Sequence, residues 1–373
     1  FKWSERLVQN QKQRQGQKEK VWRYCSVYTC IFAGADWHCQ RHQHSEVNVK
    51  TNILKILKDA KDYVSGQELC EHLGVSRTAV WKAIQQLEKE GYEIEAKRNR
   101  GYRLTEGKNV FAATEIKSLL QTEQVGHNLV FLELVDSTNN EARRQAEKGA
   151  GDGTLVVALE QSAGKGRRGR SWVSARGSGV WMSLLLRPDF MPEDASMLTL
   201  IAAMAVREGI RQTAGLEGQI KWPNDVVLNG KKVCGILTEM STEMEWIRYV
   251  VIGIGINVNM REFPEEIRET ATSLALCADK TIRCAELIAA VAGAWEYYYK
   301  KFLKTKDLSL LMEEYNQMLV NVDREVKVLA PKGEYTGISR GINEKGELLV
   351  ETNQELRTVL SGEVSVRGIY GYV

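Results

Sequence analysis

The stretch Glu160 to Trp172, EQSAGKGRRGRSW, sets four cations and three glycines in the seven residues 164–170, directly after a run that alternates like a strand, Thr154 to Glu160. Its glycines do not follow the Gly-x-x-x-x-Gly-Lys-Ser/Thr order, and no helical pattern comes after it, so it is not the phosphate loop of a nucleoside-triphosphatase. Glycines let a backbone come close to a ligand, and clustered cations neutralise phosphate or carboxylate charge. A solvated basic turn has no need of three closely spaced glycines. The loop therefore reads as a deformable, charged cover over an anionic ligand.

Further strand-like runs surround it: Leu129 to Val135, Gly179 to Leu186, Ile220 to Trp222, Val233 to Met240 and Trp246 to Ile256. Helical periodicity is found at 138–148, 194–213 and 284–303. Together these predict an α+β or mixed α/β domain around one sheet. Three more stretches carry unusual chemistry. VDSTNNEARR (135–144) places Asp136, Ser137, Thr138 and Asn139 between a strand and a helix, where hydroxyls and free amides can receive a polar ligand. A plain N-cap accounts for Ser137 or Asp136 taken alone. IKWPNDVVLNGKKVCGIL (220–237) has a Trp-Pro-Asn-Asp turn and then Lys231-Lys232 entering a strand. Asn224 and Asp225 can ligate Mg²⁺, orient a ribose or simply make a turn, and a lysine at a strand start can reach a carboxylate or phosphate. VVIGIGINVN (250–259) leaves room over one face of the sheet at Gly253 and Gly255, which suits either a flat-lying ligand or a closely packed helix. Without a third glycine and a following helix it is not a dinucleotide fingerprint.

Ahead of this domain, NILKILKDA (52–60) puts Ile53, Leu54, Ile56 and Leu57 on one helical stripe, and SGQELCEHLG (65–74) follows as a short helix ended by Gly74. In VSRTAVWKAIQQLEKEG (75–91), Ser76 caps a third helix with Val80, Ile84 and Leu87 inward. YEIEAKRNRGYRL (92–104) then alternates like two strands around a basic turn, which completes a winged helix-turn-helix. The outward Ser76, Arg77, Thr78, Trp81, Lys82 and Gln85 can contact phosphates and base edges in a major groove, while Arg98 and Arg100 in the wing suit the neighbouring backbone. Small winged helices also serve as protein-interaction modules, and charged helix faces are commonly just solvated. The tight turn, polar helix and basic wing together favour DNA.

With 373 residues, 43% hydrophobic and 27% charged, the chain has room for two or three folded domains. No apolar run approaches the roughly 20 residues that span a bilayer, so a transmembrane protein is excluded. Net charge is only +3, and anion binding has to come from local patches. Seven irregularly spaced cysteines read as reduced thiols, which points to the cytoplasm. Cys25, Cys30 and Cys39 lie near His38, His42 and His44 without the paired short steps of a zinc site. Residues 1–48 are polar and then aperiodic; they are expected to be a poorly ordered leader, or to reflect where the chain is taken to begin. TEGKNVFAATE (105–115) reads as a linker, and from Val322 short alternating runs predict a small β-barrel or sandwich. The expected divisions are 1–48, 49–106, 107–321 and 322–373.

The four chemical stretches, in this order, resemble the catalytic domain of the biotin protein ligases. GKGRRGR looks like that family's Gly-Arg-Gly-Arg-Arg-Gly-Arg loop for biotin and its adenylate, and KWPND, Lys232, GIGIN and the closing SGEVSVR match as well. With the winged helix, the likeness covers about 49–373 and is similar to the bifunctional biotin operon repressors of bacteria. It implies a class II synthetase-like ligase domain between the winged helix and an SH3-like barrel. It further implies ATP with Mg²⁺ as cofactor, and biotin as both substrate and corepressor precursor. The implied partners are a biotin carboxyl carrier protein, operator DNA, and a second copy of the chain once biotinyl-5′-AMP is bound.

The resemblance also implies roles. Ser137, Thr138 and Asn139 would meet the biotin head, with Gln161 beside it; Lys165, Gly166 and Arg167 would close over the carboxylate and the adenylate phosphate. Lys232 would hold carboxylate and α-phosphate oxygens, so that Lys165, Arg167 and Lys232 form the catalytic set. Trp172 would border the adenine side, Asn224 and Asp225 would position ATP or its Mg²⁺, and Asn257 and Arg367 would contact the nucleotide. Position 165 is lysine where many relatives have arginine, which keeps the charge and loses the planar fork. Two other readings stay open: a biotin-sensing DNA regulator without ligase activity, against which the full basic loop and Lys232 stand, and a lipoyl-type protein ligase, which the block sequences fit less well.

Overall fold

The structure, a computed structural model, describes residues 49–105, 109–330, 333–361, 365–368 and 372–373. The expected leader, 1–48, and the cysteine–histidine group within it lie outside the described residues. The chain folds as two units, the first formed by residues up to Lys89 with Ile94–Arg103 and the second by Glu90–Glu93 with Leu104–Val373.

In the first unit α1 (49–59) precedes α2 (Gly66–Leu73) and α3 (Arg77–Lys89), and a hairpin of β1 (Ile94–Lys97) and β2 (Gly101–Leu104) follows. Serines start both later helices by satisfying otherwise unpaired amides. Ser65 Oγ accepts from Glu68 N at 3.1 Å and Ser76 Oγ from Ala79 N at 3.3 Å. Ile53, Leu54, Leu57, Leu69, Val80, Ile84 and Leu87 form the buried side, as their spacing requires. Val64 exchanges backbone bonds of 2.8 and 2.9 Å with Tyr102, and a Cβ on Gly101 would stand 2.0 Å from Val64 O. Only glycine fits where the wing closes.

The first helix of the second unit, α4 (Ala113–Leu119), starts at the end of the stretch that reads as a linker and runs past it. Complete burial of Ile116 in the main core stabilises a helix whose seven residues are too few to persist alone. A seven-stranded sheet follows in the order β3 (Leu129–Val135), β4 (Thr154–Gln161), β5 (Gly179–Leu186), β9 (Trp246–Asn257), β8 (Lys231–Glu243), β7 (Asp225–Leu228), β6 (Gln219–Lys221). Only β3 and β4 run parallel. Side chains alternate across it. Val180, Met182 and Leu184 of β5, with Ile252 and Ile254 of β9, join the core containing α6 (Met197–Ala214) and α8 (Cys284–Thr305). The intervening residues, Trp181, Ser183, Gly253 and Gly255, face the other way, toward α5 (Thr138–Glu147) and the basic loop.

Two short helices, α7 (Leu274–Ala278) and α9 (Met312–Met318), and strand β7 are additions to the sequence reading; each is too short to show a period. The last strands, β10 (Glu325–Ala330), β11 (Gly333–Ile342), β12 (Leu348–Glu351), β13 (Leu356–Val359) and β14 (Ser365–Gly368), form an antiparallel sheet in the order β13-β12-β11-β10-β14. Its Val326, Val328, Leu348 and Val350 belong to the same core as the larger sheet, and Trp222 Nε1 donates to Gly346 O at 3.0 Å. Among the described residues the cysteines are free thiols, and no helix is long and apolar enough to cross a membrane.

Candidate functional site

The glycines of β8 and β9 mark the place where two side chains cross the sheet. A Cβ on Gly253 would stand 2.2 Å from Asn139 Oδ1, and Cβ atoms on Gly255 and Gly235 would stand 2.7 and 2.8 Å from the Trp172 indole. The room left by GIGIN is therefore taken over Gly253 by Asn139 in the first turn of α5, in keeping with the closely packed helix, and over Gly255 by the Trp172 indole. Sequence identified the gap but not its occupant.

Asn139 is locked from three sides. Its Oδ1 accepts from Ser183 Oγ at 2.6 Å, and its Nδ2 donates to Glu239 Oε2 at 2.7 Å and to Leu237 O at 3.3 Å. Arg143, one turn along α5, pairs with the same Glu239. Ser183 also donates to Thr138 Oγ1 at 2.8 Å, and Thr138 offers its N–H and hydroxyl to Gln161 Oε1 at 2.8 and 3.1 Å. Gln161 Nε2 donates in turn to Ser174 Oγ at 2.8 Å. Ser183, Thr138 and Asn139 are all buried, so this connected network fixes its members in one arrangement. Ser137 stands at the N-cap of α5 but makes no capping bond, so the plain-cap reading does not hold for it. Asp136 is instead held by Arg144, with Asn140 helping, and its carboxyl is kept well below the usual carboxylate range.

The basic loop is a closed hairpin. Trp172 N donates to Gly164 O at 2.8 Å and Gly166 N to Arg170 O at 2.7 Å, with Lys165 and Ser171 bridged between them. A Cβ on Gly164 would stand 2.4 Å from Trp172 O. Arg167 reaches inward: Nη1 donates to Asn224 Oδ1 and Nη2 to Ser361 O, both at 2.8 Å. Burial lowers its pKa from the ordinary value, an effect opposed by Asp225. Lys165, by contrast, is exposed and donates to Asn140 Oδ1 at 2.7 Å on the rim. Lys232 Nζ lies 2.6 Å from Asp225 Oδ1 and 5.3 Å from the centre of the Trp172 ring.

Every residue expected to meet biotin, Ser137, Thr138, Asn139, Gln161, Lys165, Gly166, Arg167 and Lys232, lines one cavity, and Trp172 and Asn224 border it. Its free volume is about 40 Å³, far below the roughly 300 Å³ of small ligand pockets. The Trp172 indole packs against Gly235 and Gly255 in the cavity wall, and its buried Nε1 has no hydrogen-bond partner among the described residues. A donor left so is costly, and an acceptor on an incoming ligand would relieve it.

Two expected nucleotide contacts, Asp225 and Asn257, are not among the lining residues. Asp225 sits behind Lys232 with Oδ2 bonded to the Tyr372 hydroxyl, and Asn257 Nδ2 holds Thr272 O at 3.1 Å. The backbone of Arg367 pairs with Lys327, and its side chain lies outside the described residues. Ser183, Glu239, Ser361 and Tyr372 were missed from sequence. A lone serine in the apolar run GVWMSLLL, opposite Gly253 in register, is a signal that could have found the first. Tyr372 carries no local signal.

In the first unit Trp81 is 54% exposed, and Thr78, Lys82 and Arg98 are exposed as expected for a DNA-facing surface. Arg77 Nη2 donates to Gln67 Oε1 at 2.9 Å, and Gln85 Nε2 to Glu88 Oε2 at 2.7 Å. Arg100 pairs with Asp62 at 2.6 Å and lies over the Tyr63 ring. These three would have to exchange partners to meet DNA.

A biotin/lipoate A/B protein ligase family model matches residues 131–257, an HTH domain model residues 49–103, and a biotin protein ligase C terminal domain model residues 322–367. The fold and cavity thus define a protein ligase carrying a helix-turn-helix unit. The bifunctional ligase/repressor BirA of Bacillus subtilis is 40% identical over 323 residues, covering 85% of this chain and 98% of that protein. Its Escherichia coli counterpart is 31% identical over 324 residues, covering 86% and 97%. Among solved structures, biotin protein ligase from Aquifex aeolicus in complex with biotin and ATP aligns with a TM-score of 0.58 at 34% identity, covering 65% of this chain and 99% of that one. The chain belongs to the family of bifunctional biotin protein ligase/repressors.

Proposed function

We propose that the cavity over β8 and β9 makes biotinyl-5′-AMP from biotin and MgATP and passes the biotinyl group to a lysine of a biotin carboxyl carrier protein. The observation that carries this reading is the meeting of Thr138, Gln161, Arg167, Asn224 and Lys232, from separate stretches, around one cavity closed by the glycine-rich hairpin. In the first half-reaction a biotin carboxylate oxygen attacks the α-phosphorus, the bond to the β-phosphate bridging oxygen breaks, and pyrophosphate leaves. In the second, a neutral lysine amine attacks the acyl carbon; AMP leaves with the electron pair of the anhydride bond, and the amine loses its proton.

Charge grows on phosphoryl oxygens in the first step and on the acyl oxygen in the second. Arg167 and Lys232, fixed by Asn224 and Asp225, are placed to stabilise it without rearrangement. Ser137 and the Thr138–Asn139–Ser183 network orient the biotin head, and Trp172 turns out from the glycines to border the adenylate. The hairpin 164–172 limits water access to the mixed anhydride. Among the described residues no group of three or more His, Cys, Asp or Glu is arranged to hold a metal. Asp225 is already engaged by Lys232 and Tyr372, so we assign Mg²⁺ to the incoming ATP, where it offsets phosphate charge.

The winged helix is proposed to bind operator DNA, with Trp81, Lys82 and Arg98 as the free contacts and homodimerisation on biotinyl-5′-AMP binding presenting two such helices to two half-sites. Incubation with biotin, ATP and a carrier domain should add one biotinyl mass to the carrier's lysine, and absence of an ATP-dependent gain defeats the ligase reading. Mobility shift with and without biotinyl-5′-AMP tests the repressor arm; sequence-indifferent binding unchanged by the adenylate counts against it.

A further inference from the structure

Two charges flank the Trp222–Asn224 turn in a largely dry setting. Lys221 and Asp225 are Cα partners across β6 and β7, and they are only 7% and 9% exposed. Buried charges persist when paired and hydrogen-bonded. Tyr372 touches both: its ring face lies 3.4 Å from Lys221 Nζ, and its hydroxyl donates to Asp225 Oδ2. Next to it, a methyl of Val373 would lie 3.4 Å from a Cβ placed on Gly230, which seats residue 373 at the turn between β7 and β8. The other oxygen of the same carboxylate, Oδ1, faces Lys232 Nζ at 2.6 Å.

We propose that Tyr372 is a positioning residue for the adenylation step, acting on Lys232 through Asp225. A carboxylate with both oxygens open draws an ammonium onto its symmetric, bidentate side. With Oδ2 taken by the phenol, Lys232 is held at one oxygen, and its remaining donors stay directed at the cavity it lines. The ring over Lys221 stops that second cation from competing for the carboxylate. The line Tyr372–Asp225–Lys232 therefore sets where the ammonium stands when carboxylate and α-phosphate oxygens arrive. This inference rests on the role given to Lys232 above.

The test is a double-mutant cycle in the full chain, read as biotin-dependent adenylate formation. Tyr372→Phe keeps the ring over Lys221 and removes only the hydrogen bond. It is expected to lower the adenylation kcat about 5- to 30-fold with the melting temperature little changed, less than the full worth of a hydrogen bond to a charged group because it reaches Lys232 only through Asp225. In an Asp225→Asn or Lys232→Ala background the same change is expected to cost less than twofold, because the group it acts through is gone. Deletion of residues 372–373 should match Tyr372→Ala in both backgrounds. Tyr372→Phe within twofold of the parent, or a full independent loss in both backgrounds, overturns the proposal. A parent chain that forms no adenylate refutes the Lys232 reading itself, and so separates the two failures.

Discussion

Replacing Ser183 with alanine removes a single hydroxyl from the network that holds Thr138 and Asn139, two of the residues lining the cavity. That hydroxyl is fully buried and shares its hydrogen between Asn139 Oδ1 at 2.6 Å and Thr138 Oγ1 at 2.8 Å. Alanine fits without a clash but returns no donor. The lost bond is worth about 1 kcal/mol, and a buried acceptor left without a partner costs about 1–3 kcal/mol. Asn139 Oδ1 loses its donor, but Thr138 keeps Gln161 and Asn139 Nδ2 keeps Glu239, so both side chains stay anchored and the fold survives. What is lost is the fixed spacing of the two side chains proposed to hold the biotin head. A penalty of about 1–2 kcal/mol at that position corresponds to a roughly 5- to 30-fold weaker biotin Kd. The nucleotide side, built from Asn224, Arg167 and Lys232 on other segments, should keep its KM for ATP within twofold. Calorimetric titration with biotin, beside ATP-dependent kinetics and a melting curve, checks this. A lower melting temperature with unchanged biotin affinity, or equal weakening of biotin and ATP, would refute the reasoning.

Gly164→Ala places a methyl 2.4 Å from Trp172 O and should open the hairpin, lowering adenylate formation at least tenfold in a stopped-time assay while far-ultraviolet dichroism stays unchanged. Glu296 accepts backbone N–H groups from Glu123, Gln124 and Val125 at 2.9, 2.7 and 2.8 Å. Burial raises its pKa, but these donors and Lys300 outweigh it, so the folded value lies below the ordinary one. Its contribution is thus complete above the unfolded glutamate's titration and is lost as pH falls through the lowered value. Glu296→Gln should cost about 1.5–3 kcal/mol in urea unfolding at neutral pH, and the gap from the parent should close in acid. Lys82→Ala should weaken DNA binding and reduce the slope of log K against log salt by about one, with carrier biotinylation unaffected. An unchanged slope removes Lys82 from the phosphate contacts.

Much of this was legible because it is local. The caps at Ser65 and Ser76, the inward Val80, Ile84 and Leu87, and the strands around EQSAGKGRRGRSW follow from spacing and hydrogen-bond needs within a few residues. The set of cavity residues was also legible, since four stretches each broke the ordinary pattern of their element. Partner choice was not. Neither the bond from the Lys165 ammonium to Asn140 nor the packing of the Trp172 indole against Gly255 and Gly235 has a sign in the local sequence. Such pairings depend on which strands lie side by side, and Tyr372 meets Asp225 across 147 residues. Helix α4 escaped notice because burial of Ile116, and not a repeating pattern, holds it.

Exchange of labelled pyrophosphate into ATP reports the first half-reaction alone, and so reads the adenylating site proposed for the four stretches, in which Lys232 faces the reacting carboxylate and α-phosphate. The parent chain should show exchange that requires biotin, and Lys232→Ala should lose about 100-fold or more while retaining its melting temperature, as removal of a fixed transition-state cation does. Undiminished exchange in Lys232→Ala would contradict the account.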